Sequence, residues 1–161
     1  MPIAHFLIIW IHLVAAISWI GGMIFLSLVL APLVRSRKAA PEFMALFRSS
    51  ARRFRFVVWA AIALLLSTGP ILLHQRGLSL FDPVGWPDAL RIKLGLVGLF
   101  LVLAFAHDLL LGPRVSKISS IPESARSSWD QMLLRTATWL PRVALVVALA
   151  IVLGAVVLAR T

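Results

Sequence analysis

Four histidines, an Arg-x-Lys pair and one His-Asp dipeptide carry most of the chemistry this sequence could perform. His12 stands in Ile-Ile-Trp-Ile-His-Leu-Val-Ala-Ala, inside an apolar run from Phe6 to Val34. An ionisable side chain at bilayer depth costs at least about 2.5 kcal/mol, so it implies a partner or a function. An imidazole there can ligate a metal or prosthetic group, move a proton, or bond to a neighbouring helix. His5, His12 and Trp19 are spaced seven apart, so each step turns by only about 20° and they form one helical stripe. Met23 lies within about 20° of His12 on the same face. His74 closes the second apolar segment, Arg91 and Lys93 open the third, and His107 and Asp108 lie near that segment's other end. Lys93 and His107 share a face to within about 40°.

Long apolar elements must position these groups. The chain has 161 residues, 61% of them hydrophobic, and a mean hydropathy of +0.98. Soluble domains are usually about 45–50% apolar, and a membrane span needs about 20 apolar residues. Four stretches qualify, roughly 4–34, 56–75, 90–111 and 140–159. The second is interrupted by Ser67-Thr68-Gly69-Pro70, and the third carries His107 and Asp108 near one end. The expected fold is all-α: a four-transmembrane-helix bundle forming a single domain over residues 1–161. The first stretch has no basic leader and is about twice the length of a signal-peptide core, so it reads as a retained helix. Without cysteine, thiolate metal sites and disulfides are excluded.

The net charge of +10 is distributed as a topology signal rather than a nucleic-acid footprint. Segment 35–55 holds Arg35, Arg37, Lys38, Arg48, Arg52, Arg53 and Arg55 against Glu42 alone. Segment 112–142 adds Arg114, Lys117, Arg126, Arg135 and Arg142 against Glu123 and Asp130, whereas loop 76–91 is balanced. The positive-inside rule then sets both basic loops in the cytoplasm, facing anionic lipid, and both termini outside a bacterial inner membrane. Pro41–Arg48 and Arg126–Thr138 read as short amphipathic helices on the inner surface. Trp86, Trp129 and Trp139 suit the interfacial aromatic belt. Gly112-Pro113 is expected to end the third helix and Pro141 to start the fourth. Small residues at Gly21-Gly22, Gly95, Gly98, Ala144/Ala148 and Ala150/Gly154 predict close helix packing.

Haem b is a flat apolar ring with two carboxylates. It needs an imidazole, small residues that admit it between helices, and basic groups for its propionates. His12 is the expected axial ligand, with His74 and then His5 as candidate second ligands. Ala15, Ala16, Gly21 and Gly22 would give room, and Arg91 and Lys93 would meet the propionates. The depth difference between His12 and His74, about 10 Å, asks for an inward kink at Pro70. Copper is the alternative, with Met1 and Met23 as the thioethers at that depth, although Cu(I) favours thiolate and thioether sets richer than this. His107 and Asp108 are candidates for proton transfer at the inner face.

The run His12-Leu-Val-Ala-Ala-Ile-Ser-Trp19-Ile-Gly21-Gly22, ending in Pro32 and Arg35, resembles the first helix of the CopD-type membrane family. The Thr68-Gly69 break and the Lys93-Leu-Gly-Leu opening are similar to it as well. That superfamily includes the HemJ-type protoporphyrinogen oxidases, whose pattern of a first-helix histidine and a third-helix Arg-x-Lys is matched by His12 and Arg91-Ile-Lys93. The HemJ-type likeness implies haem b and a haem-dependent membrane oxidoreductase; the CopD-type likeness implies copper transport or resistance. This chain lacks the tyrosine-containing ending of the HemJ-type first helix and has no tyrosine at all. The implied partners are the lipid bilayer and a membrane or periplasmic redox protein, with a homo-oligomer or a larger membrane complex as the assembly. Nucleic acid is not among them.

Overall fold

A segment that crosses hydrocarbon must satisfy its own backbone hydrogen bonds, and this chain does so with helices. The computed structural model describes residues 3–35 and 41–160. The thioether of Met1 and the charges of Arg37 and Lys38 lie outside the described residues. The elements are α1 (Ile3–Ile24), a π-helical turn (Phe25–Leu30), α2 (Ala31–Arg35), α3 (Pro41–Gln75), α4 (Asp88–Phe105), a second π-helical turn (Ala106–Leu111), α5 (Gly112–Ser119) and α6 (Ser128–Arg160). Among the described residues there is no strand. The expected all-α class with four long apolar helices is the class observed.

The four candidate spans are Ile3–Leu33, Ala45–Gln75, Asp88–Ser119 and Ser128–Arg160, with mean hydropathies of 2.2 to 2.7. Only 11% to 28% of each apolar window is buried within the protein. Most of that surface therefore needs a surrounding other than water, which makes the chain an integral membrane protein.

Where the sequence suggested separate interfacial helices, the structure has continuous ones. Pro41–Arg48 is the beginning of α3, which runs unbroken to Gln75. Nothing between Ser49 and Phe56 is a glycine or proline, so the hydrogen-bond ladder has no reason to stop. The Arg126–Thr138 segment likewise enters α6, and Pro141 lies inside that helix instead of starting it. A Ser127–Asp130 capping box begins α6: Asp130 N–H donates to Ser127 Oγ at 3.1 Å, and Ser127 N–H to Asp130 Oδ2 at 2.9 Å. At its other end α3 closes on Gly77, whose φ of 74° only glycine adopts readily. There Gly77 N–H donates to His74 O and Leu78 N–H to Leu73 O, a Schellman termination.

The chain forms two compact units dividing between Trp86 and Pro87. In the first, α1 and α3 pack antiparallel. Each seven-residue step down α1 (His5, His12, Trp19) matches a seven-residue step up α3 (Gln75, Thr68, Ala61), the register of a left-handed helix pair. The bulky indole of Trp19 thereby falls level with an alanine, and both residues are only 4% exposed. In the second unit α4 and α6 pair. Leu90, Lys93, Val97, Phe100 and Ala104 follow at three- and four-residue steps on α4. Ala144, Ala148, Ile151 and Leu158 are buried on α6.

The paired glycines of α1 differ. A Cβ on Gly22 would lie 1.9 Å from Phe54 Cε2, whereas one on Gly21 would meet nothing within 4 Å. Gly22→Ala should therefore destabilise the first unit by about 1–3 kcal/mol through overpacking. Gly21→Ala should be neutral or stabilising by up to about 1 kcal/mol through helix propensity. Loss of helical circular dichroism on heating in detergent separates the two, with a lower midpoint for the first variant only.

Candidate functional site

The segment Ser67-Thr68-Gly69-Pro70, which reads as an interruption, is a helical turn of α3. Its hydroxyls fold back on the helix: Ser67 Oγ donates to Ala63 O at 2.7 Å and Thr68 Oγ1 to Leu64 O at 2.6 Å. Pro70 has no N–H for the carbonyl four residues before it. Thr68 faces α1 and is 7% exposed. Its oxygen lies 2.7 Å from His12 Nδ1.

This short chain of bonds fixes the tautomer of His12. A threonine hydroxyl has one proton, and Thr68 directs it to Leu64 O. Toward His12 the oxygen therefore accepts, so Nδ1 carries the ring proton. In the neutral imidazole the lone pair then lies on Nε2, the arrangement in which one ring nitrogen is anchored and the other is suited to a metal. A Cβ on Gly69 would stand 4.0 Å from His12 Cε1, so the glycine leaves the ring edge uncrowded on that side. No residue type or spacing singles out Thr68 as the partner of His12; only the antiparallel register brings residues 56 positions apart together.

His5 repeats the arrangement one heptad away, its Nδ1 donating to Gln75 Oε1 at 2.5 Å. His74 does not join His12. It is exposed in the last turn of α3, six residues beyond Thr68, which is about 9 Å along the helix and about 120° around it. His5 and His12 are themselves about 10.5 Å apart along α1, and Met23 lies about 16 Å from His12. His12 and Met23 therefore share a stripe but cannot share an ion. Among the described residues no three His, Cys, Asp or Glu side chains converge as a metal group.

The other candidates belong to the second unit. Arg91 Nη1 lies 3.6 Å from Asp88 Oδ1, with the Arg91 side chain half exposed and that of Asp88 almost fully so. Lys93 is half-buried in the α4–α6 seam, where a Cβ on Gly154 would lie 3.5 Å from its own Cβ. The small residue on α6 thus lies against the lysine stem. His107 Nδ1 is 2.9 Å from Asp108 Oδ1, with side-chain exposures of 39% and 15%. This pair sits in the second π-helical turn, not at a helix end. Gly112 N–H reaches back five residues to His107 O, and the helix continues through Pro113 to Ser119. The expected stop at Gly112-Pro113 is therefore a widened turn. The first π-helical turn has the same context: Ala31 N–H donates to Leu26 O, and Pro32 follows. In both places a proline arrives just after the widened turn, where its missing N–H and its ring are accommodated. The small-residue–proline dipeptides Ala31-Pro32 and Gly112-Pro113 were the available signal for both turns.

These features define an all-α integral membrane protein whose first helix pair holds an oriented imidazole. The chain is 31% identical over 111 residues to an uncharacterized protein of Aquifex aeolicus (strain VF5), an alignment covering 67% of this chain and 71% of that one. It belongs to the same family as that protein. No protein-family profile and no solved structure matches it.

Thr68→Val keeps the shape of the side chain and removes the acceptor of His12 Nδ1–H. It should lower the stability of the detergent-solubilised protein by about 1–2 kcal/mol, within the range for interhelical hydrogen bonds and unsatisfied buried donors. Thr68→Ser, which keeps the oxygen, should lose less than half as much in the same unfolding titration.

Proposed function

We propose that this protein binds haem b within the membrane through His12 and passes electrons to a membrane or periplasmic partner. The observation that carries the reading is the His12–Thr68–Leu64 chain of hydrogen bonds, which sets the proton on Nδ1 and the lone pair on Nε2. An imidazole anchored through one ring nitrogen is the kind of ligand that haem iron takes, which supports the reading. Haem, when bound, supplies reversible one-electron chemistry. The chain's own contributions are His12 as ligand and Thr68 as the group that orients it.

His5, anchored by Gln75 in the same sense, is about 10.5 Å of helix from His12, so it would serve a second site and not the other face of one iron. His74 is the weaker second-ligand candidate, because it points away from the face that Thr68 shares with α1. Resemblance of the His12–Gly22 run to the CopD-type family favours a membrane redox or metal role, and the charge bias favours termini on the outer side of a bacterial inner membrane. Arg91 and Lys93 are the candidates for anionic groups, the first already matched to Asp88.

The test is an optical spectrum. With haem supplied during expression, the purified protein should show a Soret band and a reduced-minus-oxidised α-band. His12→Ala should lose both while remaining helical. A colourless protein with His12 intact would sink the proposal. If Thr68→Val still destabilised that colourless protein, the imidazole would be assigned to clamping α1 onto α3.

A further inference from the structure

Beside the α1–α3 seam the first unit carries an open apolar groove, lined among others by Trp10, Val14 and Ser18 from α1 and by Val57, Ala60 and Leu64 from α3. The small residues Ser18 and Ala60 set its depth, and the bulky Trp10 stands along its α1 wall. Arg53, Val57, Ala60 and Leu64 follow at four- and three-residue steps, so the groove's α3 wall continues onto an exposed arginine. From Arg53 to Leu64 is eleven residues, about 16 Å of rise. That is about half of the roughly 30 Å hydrocarbon core, the depth of one leaflet. Arg53 stands where α3 passes from its basic stretch into the apolar run that begins at Phe56, a position suited to the headgroup level.

We propose that this groove is a binding site for an anionic phospholipid, with an acyl chain along Val57–Leu64 and the negatively charged headgroup at Arg53. The occupant follows from charge complementarity and length together. A guanidinium at the headgroup end favours net negative charge over a zwitterion, and an apolar channel one leaflet deep fits a lipid tail. Arg55 provides an internal comparison. Two residues from Arg53, it is turned about 160° away and cannot serve the same groove.

Lipid bound to the full chain in detergent is counted directly by native mass spectrometry, with phosphatidylglycerol and phosphatidylcholine as the probes. Phosphatidylglycerol should reach half-occupancy at about fivefold lower concentration than phosphatidylcholine, the ratio expected for one basic side chain near a charged surface. Arg53→Gln should bring that ratio to about one, and Arg55→Gln should leave it unchanged. Ala60→Trp, which fills the groove without altering charge, should remove the discrimination between the two lipids. Helical circular dichroism of each variant confirms that it is folded. Equal binding of both lipids by the unaltered chain, or a preference that survives Arg53→Gln, overturns the proposal. A dimer that binds neither lipid assigns the groove to a second copy and overturns it as well.

Discussion

In hydrocarbon a polar group is costly unless it bonds within the protein, and the His12–Thr68–Leu64 sequence of bonds is where that demand is most consequential. A backbone carbonyl takes the threonine proton, the threonine oxygen takes the imidazole proton, and the imidazole is left with one defined lone pair. The same economy appears at His5 and Gln75. Two imidazoles on one stripe of α1 are thus held by one face of α3. The antiparallel register fixes both at once, because a shift by one residue would carry both out of reach.

Helix packing around that seam follows from size complementarity. Gly22 admits the Phe54 ring and Ala61 lies level with Trp19 in the first unit, while Gly154 lies against the Lys93 stem in the second. Between helices in lipid there is no hydrophobic drive to association, since the tails are as apolar as the side chains. Close approach and van der Waals contact must supply it, and these large-against-small pairs do so. Most of the apolar surface is left facing outward, as a protein dissolved in lipid requires.

The prolines show how local chemistry and tertiary setting divide the outcome. Pro32 and Pro113 each follow a small residue and a widened five-residue turn. Pro70 and Pro141 sit in plain α-helix. At Pro70 the neighbouring hydroxyls of Ser67 and Thr68 fold back on the helix. A proline in a membrane helix is therefore tolerated by more than one device, and His107 with Asp108 occupies one of the widened turns. Such turns are frequent at functional positions, and this pair lies within one rather than at a helix end.

Composition and periodicity determined the class of this protein. Four runs of about 20 apolar residues can only be spanning helices, because length and hydropathy are properties of the segment alone. The stripe of His5, His12 and Trp19 was equally legible, since seven-residue spacing is an intrinsic helical repeat. Helix ends were less legible: the surface segments before the second and fourth spans contain no breaker, so they fused with the spans. What only the tertiary structure decided was partnership. Thr68 for His12, Gln75 for His5, Phe54 for Gly22 and Gly154 for Lys93 lie 32 to 70 positions apart in sequence. Register between two helices depends on how many side chains interlock at once, a property no single segment contains.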